Sequence, residues 1–272
     1  MKSKFVLAQT EECGIPAVNL ERAERLVKEA KVRFAPDVVV FPEVYSSHYP
    51  LSTDRETVLA AAEPLDGPFV KGMQAVAKSC GLWLIFGLRE SIPGEDRSYN
   101  TVVVLNTTGN VVATYHKTHL YNAFGGTEKT MYRSALEDLP EGAPASDAYF
   151  KPIETPFGRL GIFVCYELRY PEVARALTKA GAEILVMPTA WVKGPKKSEQ
   201  FRTLLQARAI ENATYVLACD QCGEDCIGES GAVDPTGEVI AAAGVDEELI
   251  CVTIDSDFEK TTREAVPSAK GV

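Results

Sequence analysis

The sequence predicts an α/β fold with a mixed sheet. Three observations carry that prediction. Apolar runs of strand length alternate with stretches of helical period along the whole chain. Several runs, Val38-Val39-Val40-Phe41 among them, are apolar at nearly every position, which marks strands covered on both faces. Two turn strings, Thr107-Thr108-Gly109-Asn110 and Asp234-Pro235-Thr236-Gly237, lie between β-rich runs and add hairpins.

The strands are predicted over Phe5–Gln9, Val38–Phe41, Leu82–Phe86, Thr101–Leu105, Val111–Tyr115, Leu160–Val164, Ile184–Met187, Tyr215–Cys219, Gly231–Val233 and Cys251–Ile254. Helices are predicted over Asn19–Arg33, Pro68–Ser79, Pro171–Ala180 and Ser198–Ala213. In the first, Leu20, Ala23, Leu26, Val27 and Ala30 share one face and charges fill the other. In the third, Pro171 suits a first helical position and Gly181 a C-terminal cap. The chain has 272 residues and shows no repeat or linker, so one domain over residues 1–272 is expected. Residues from about 256 onward read as a C-terminal tail, and Glu137 to Asp147 is the most loop-like stretch.

Composition narrows the function. With 28 basic and 38 acidic residues the net charge is −10, which repels phosphate backbones, so no nucleic-acid partner is expected. No apolar run nears the roughly 18 residues of a membrane helix, so no membrane partner is expected. The apolar part of the N-terminus is short, and Glu11-Glu12 follow it. It reads as the first strand of a cytoplasmic protein rather than an export signal. The seven cysteines are expected as reduced thiols.

Reactive groups belong where a buried strand meets solvent. Glu43 follows Val38–Pro42, Lys117 follows Val111–His116 and Cys165 follows Leu160–Val164. Each is costly to bury alone, and together they can satisfy one another. A thiol nucleophile, a carboxylate base and an ammonium at a developing oxyanion make a coherent set. Each residue alone also fits a bland reading, as a core thiol or a strand-end salt bridge.

Six blocks in order decide between these readings. They are Val38–Glu43; Tyr99-Asn100-Thr101 with Tyr115–Leu120; Gly161–Glu172; Pro188–Trp191; Ala207–Asn212; and Asp234–Gly237. In these blocks, from about Lys4 to Ile254, the sequence resembles the nitrilase superfamily of carbon–nitrogen hydrolases. The resemblance implies a four-layer α-β-β-α sandwich that pairs through its outer helices into a homodimer or larger homo-oligomer. It implies a Glu43–Lys117–Cys165 catalytic triad, with Glu128 as a second, supporting glutamate and Glu137 as the weaker candidate for that place. No metal or organic cofactor is implied.

The implied reaction is hydrolysis of a small linear amide through a thioester on Cys165. Glu43 moves the protons, while Lys117 and the Tyr166 amide hold the oxyanion. Trp191 and Tyr49 are the expected substrate-binding residues. The Cys165–Glu172 string looks most like amidases of small ω-amides. Lys193, Lys196 and Lys197 then offer basic groups for a substrate carboxylate, or form a solvated charge run. Glu229 disfavours a carboxylate substrate if it faces the pocket. N-carbamoyl hydrolysis and nitrile hydrolysis use the same triad and stay open, as does a catalytically silent binding module. Cys219, Cys222 and Cys226 form a C-x₂-C-x₃-C run, read as a strand end plus loop rather than a metal site. Gly125-Gly126 lacks the Lys-Ser/Thr of a phosphate loop.

Overall fold

The alternation of side chains along the first strands decides how the layers stack. The computed structural model describes residues 1–50, 52–123, 126–141 and 149–266. In β1 (Lys2–Gln9), Phe5 and Leu7 point into one apolar cluster, and Val6 and Ala8 into another. β2 (Val38–Val40) divides the same way, with Val38 and Val40 opposite Val39. This two-residue period needs apolar layers on both sides of the sheet, which is why these strands are continuously apolar.

The first sheet adds β3 (Trp83–Ser91), β4 (Ser98–Leu105), β5 (Val111–His116) and β12 (Glu248–Asp255), in the order β12-β1-β2-β3-β4-β5. The second sheet holds β6 (Ile153–Thr155), β7 (Gly158–Ile162), β8 (Ile184–Thr189), β9 (Tyr215–Asp220), β10 (Gly231–Val233) and β11 (Val239–Ala242), in the order β11-β10-β9-β8-β7-β6. Each sheet has a parallel centre, β1-β2-β3 in one and β7-β8-β9 in the other, flanked by antiparallel strands.

Helices α1 (Pro16–Phe34) and α3 (Pro68–Cys80) cover the outer face of the first sheet through Ala23, Val27, Phe69 and Met73. Helices α4 (Pro171–Lys179) and α5 (Lys197–Asn212) cover the second through Val173, Leu177, Phe201 and Leu205. The result is an α-β-β-α sandwich. Short α2 (Arg55–Ala60) and α6 (Ser256–Ala265) complete the helices among the described residues.

Four elements escape the sequence reading. Strands β6 and β11 are short edge strands of three and four residues; β6 has one apolar residue, and β11, though apolar throughout, is largely exposed. Helix α2 has six residues and one buried side chain. Residues 256–265, expected as tail, form α6, capped when Asp255 accepts the Asp257 amide. The tail reading of 267–272 lies outside the described residues. So does most of the Glu137–Asp147 loop, from 142 on. Glu137 and Asp138 end a 3₁₀ turn over Ala135–Asp138. No described helix is long and apolar enough to cross a membrane.

Candidate active site

The chain brings Glu43, Lys117 and Cys165 to one end of the sandwich, from strand ends in both sheets. Glu43 lies three residues beyond β2, where the backbone leaves the sheet. Gly87 of β3 makes this exit possible: its amide donates to Pro42 O at 3.0 Å, and a Cβ there would stand 2.1 Å from Val44 N. Val44 then takes φ +49, a rare value for a β-branched residue. Lys117 is the first residue past β5, held in register by its amide on Asn100 O at 2.9 Å.

Cys165 opens a 3₁₀ turn, Cys165–Arg169, after β7, and does so at φ +46. Strain of this kind concentrates at reactive positions. The hydrogen-bond ladder of the turn begins with Glu167 N–H on Val164 O at 3.0 Å. The Tyr166 amide therefore precedes the ladder, among the donors that a helical start leaves open.

The charges interlock. The Lys117 ammonium is 2.8 Å from Glu43 Oε1 and 2.9 Å from Glu128 Oε2. Glu43 Oε1 also accepts Asn100 Nδ2 at 2.7 Å, and Oε2 accepts the Ala190 amide at 2.9 Å. Gln221 Nε2 holds the Glu43 carbonyl at 2.7 Å. Glu128 Oε2 accepts the Tyr121 amide at 2.7 Å. Glu43 is 2% exposed and Lys117 1% exposed, so these contacts are made away from water, where they are strong.

Proton affinities follow from this packing. Burial opposes the Lys117 charge, but Glu128 and Glu43 outweigh it, and the ammonium holds its proton well above the usual lysine range. Burial and then Glu43 push the Cys165 thiol well up, against the pull of Lys117 and of the Thr189 hydroxyl. At neutral pH Cys165 is thus a thiol, and a base would have to take its proton before the sulfur could attack a substrate. Burial also raises the Glu128 carboxyl, with Lys117 opposing it and Glu43 adding to it.

The other expected residues divide. Glu137 pairs with Arg97 at 2.8 Å and caps its own turn, whereas Glu128 is the glutamate on Lys117. The Tyr166 ring packs edge-on against Tyr121 at 5.2 Å. Trp191 is 3% exposed, with its ring 5.3 Å from Phe201, so it belongs to the core on that side. The Tyr49 ring covers Gly14 and its hydroxyl donates to Gly14 O at 2.8 Å. None of its described contacts is with Glu43, Lys117, Glu128 or Cys165.

Of the three lysines, Lys193 donates to Gly223 O and Lys196 pairs with Glu199, while Lys197 is only 8% exposed. The solvated-run reading therefore holds for Lys196 and fails for Lys197. The Glu229 carboxylate is paired with Arg202 at 3.0 Å, so its charge is compensated. All seven cysteines are free. Cys219 Sγ donates to Val40 O at 3.1 Å, and no described His, Cys, Asp or Glu group is arranged to hold a metal ion. Of the Gly125-Gly126 pair, Gly125 lies outside the described residues.

Sequence reasoning missed several residues. Asn100 stands in a recognised block but had no role until its amide met Glu43. Thr189 likewise stands in a recognised block without a role of its own, and Gly87, Gln221 and the Tyr121 ring carry no local signal, because the groups they meet, near Glu43 and at Tyr166, are distant in the chain.

The carbon–nitrogen hydrolase family matches over residues 9–264, and the chain belongs to that family. The deaminated glutathione amidase of Bos taurus is 35% identical over 262 residues, 92% of this chain and 75% of that one. An omega-amidase of Danio rerio is 33% identical over 98% of this chain and 94% of that one. The structure of a carbon–nitrogen hydrolase from Helicobacter pylori G27 has a TM-score of 0.89 at 24% identity, covering 100% and 96% of the two chains, a likeness of fold. Saccharomyces cerevisiae Nit3, of the nitrilase superfamily, has a TM-score of 0.83 at 26% identity over 98% and 94%. The expected family and the four-layer sandwich are borne out.

Proposed function

We propose that this carbon–nitrogen hydrolase is an amidase, which cleaves a small ω-amide through a thioester on Cys165. One observation carries the reading: a buried Glu43–Lys117–Glu128 ion cluster beside a thiol that begins a strained turn. In the reaction, Glu43 takes the thiol proton as sulfur attacks the amide carbon. Lys117 and the Tyr166 N–H stabilise the oxyanion. Glu43 returns its proton to the departing nitrogen, and ammonia or an amine leaves. Glu43 then activates water, which attacks the thioester; the carboxylic acid departs and the thiol is restored. Glu128 keeps Lys117 charged and in place.

The relatives named as deaminated glutathione amidase and omega-amidase support the substrate class. The reading also takes the enzyme as a cytoplasmic homodimer, which sedimentation velocity tests. Exposed Ile210 on α5 and Phe258 on α6 are apolar groups suited to such pairing. The function is tested by product release from α-ketoglutaramate, deaminated glutathione, short aliphatic amides, N-carbamoyl compounds and nitriles. Turnover of one amide class, abolished by Cys165→Ala, is expected. Turnover of nitriles or N-carbamoyl compounds alone would move the assignment to those classes. No turnover, with Cys165 unreactive toward iodoacetamide, would favour a binding module.

A further inference from the structure

The end of β9 buries a carboxyl group that no step of the reaction uses. Asp220 is 0% exposed, and its Oδ1 accepts the Trp191 amide at 2.7 Å. Its Oδ2 is buried as well and meets no hydrogen-bond partner among the described residues. The Asp220 main chain is braced by Ser230, whose hydroxyl accepts the Asp220 amide at 2.8 Å.

A carboxylate so placed needs a cation or several donors. Lys117 is already shared by Glu43 and Glu128, so a third negative charge beside them would go uncompensated. Burial, then Glu43 and Glu12, raise the Asp220 carboxyl well above the usual range, against the pull of the Trp191 and Gln221 amides. Asp220 is therefore an un-ionised acid at neutral pH.

Its one amide partner leads to the active site. Thr189 ends β8 in register with Asp220, and the chain leaves the sheet through Ala190 and Trp191. Successive amides of this exit hold two carboxyl groups. Ala190 N donates to Glu43 Oε2 at 2.9 Å, and Trp191 N donates to Asp220. Only the two backbone dihedrals of Ala190 lie between these amides, so fixing the second aims the first. Gln221, next to Asp220, closes the frame. Its amide donates to Thr189 O at 3.1 Å, and its Nε2 donates to the Glu43 carbonyl at 2.7 Å.

We infer that Asp220 is a positioning residue: as a neutral acid it accepts the Trp191 amide and so keeps the Ala190 amide on Glu43. The inference rests on the amidase reading, and its test separates the two. Steady-state hydrolysis of succinamate is compared in wild type, Asp220→Ala and Asp220→Asn. Asp220→Ala leaves the Trp191 N–H without its acceptor, and kcat is expected to fall about tenfold to a hundredfold, with KM within about threefold. Asp220→Asn keeps the acceptor and carries no charge, so wild-type kcat and KM are expected. A loss in Asp220→Asn as large as in Asp220→Ala would show that a charge is required, and overturns the inference.

A second readout needs no turnover. Residue-resolved amide hydrogen exchange follows Ala190 and Trp191 beside Val186 and Leu217, which lie inside the same two strands. In Asp220→Ala, both Ala190 and Trp191 are expected to exchange about tenfold faster or more, the equivalent of one lost hydrogen bond. Val186 and Leu217 keep their wild-type rates, and Asp220→Asn keeps all four. Wild-type exchange at Ala190 in Asp220→Ala, or equal acceleration at all four amides, overturns the inference. If wild type leaves succinamate and the other amides intact while Ala190 still loosens, the amidase reading fails and the positioning of Glu43 by Asp220 stands.

Discussion

The Glu167 carboxylate accepts the Thr118 amide at 2.8 Å, and so ties the turn that carries Cys165 to the strand end that carries Lys117. It also accepts Val164 N at 2.7 Å, His119 N at 3.2 Å, the Tyr115 hydroxyl at 2.8 Å and the Thr118 hydroxyl. Burial opposes the charge of Glu167, but the hydrogen bonds from His119, Thr118 and Val164 outweigh it and hold the carboxyl below the usual range. His119, two residues past Lys117, packs its ring against Tyr170 at 4.0 Å, and its Nδ1 meets the Thr118 hydroxyl at 2.8 Å. Glu167 therefore fixes the turn that begins at Cys165 against the strand end that carries Lys117, and in the proposed mechanism it is a positioning residue.

Glu167→Gln places an amide N–H₂ among donors and removes the charge they solvate. It is expected to cost about 2–4 kcal/mol of stability and to lower turnover. The pH dependence has a definite sign. A depressed folded pKa means that the unfolded chain binds more protons near and below pH 4.5. Stability from Glu167 is full above that value and is lost as pH falls through the folded pKa. Denaturant midpoints at pH 7 and at pH 4 are expected to differ less between variant and wild type at the lower pH. An equal gap at both would show that the charge is not what Glu167 contributes.

Lys117 is the counterion of two buried carboxylates, so its removal has a larger effect than a lost hydrogen bond. Lys117→Met leaves Glu43 and Glu128 facing each other without compensation. A stability loss of about 3–5 kcal/mol is expected, with kcat down about 10²–10³-fold. Adding Glu128→Gln removes one of the opposed charges. The double variant is expected to regain stability but not activity. A double-mutant cycle on denaturant midpoints checks this; simple additivity would show that Glu128 and Lys117 are not coupled.

The sequence made Glu43 and Cys165 legible because each follows the apolar run of a buried parallel strand. Lys117 follows β5, a largely exposed antiparallel edge strand, and was legible from the Tyr115–Leu120 block. The sequence made Glu128 legible only through the resemblance, since it lies eleven positions past Lys117 across a loop. Helix α1 was legible from its one apolar face, although its N-terminus begins three residues earlier, at Pro16. What stayed hidden depends on contacts between distant segments. Glu167 sits beside Cys165 in sequence, yet its partners on Thr118 and Tyr115 lie about fifty residues away. Lys197 could not be separated from Lys196 by composition. One residue of helical rotation puts one in solvent and the other against Trp191.

Gly87 was equally silent, and it governs Glu43. A Cβ at this position meets Val44 N at 2.1 Å, Glu43 C at 2.6 Å and Pro42 O at 2.7 Å, all backbone. No side-chain rotation relieves such contacts. Gly87→Ala is expected to push the Glu43 segment off the sheet, costing about 1–3 kcal/mol and a larger share of kcat than of stability. Thermal unfolding beside steady-state kinetics on one preparation checks this. Wild-type kcat in a variant of lowered Tm would show that Glu43 tolerates the displacement.

Glu43 has two opposed effects on Cys165, and a single variant separates them. In the proposed mechanism it is the base that takes the thiol proton during attack, while as a resting negative charge it pushes the thiol pKa up. Glu43→Gln removes both. Turnover is expected to fall about 10²–10⁴-fold, the range of a lost general base. Alkylation needs only the thiolate. With Lys117 still beside the sulfur, the pH midpoint of Cys165 alkylation is expected to move down, and the rate at pH 8 to rise. Iodoacetamide labelling of the Cys165 peptide between pH 6 and pH 10 measures that midpoint directly. Slower labelling of the variant at pH 8 would mean that Glu43 promotes ionisation of the resting thiol, and the proton would then leave sulfur before the substrate arrives.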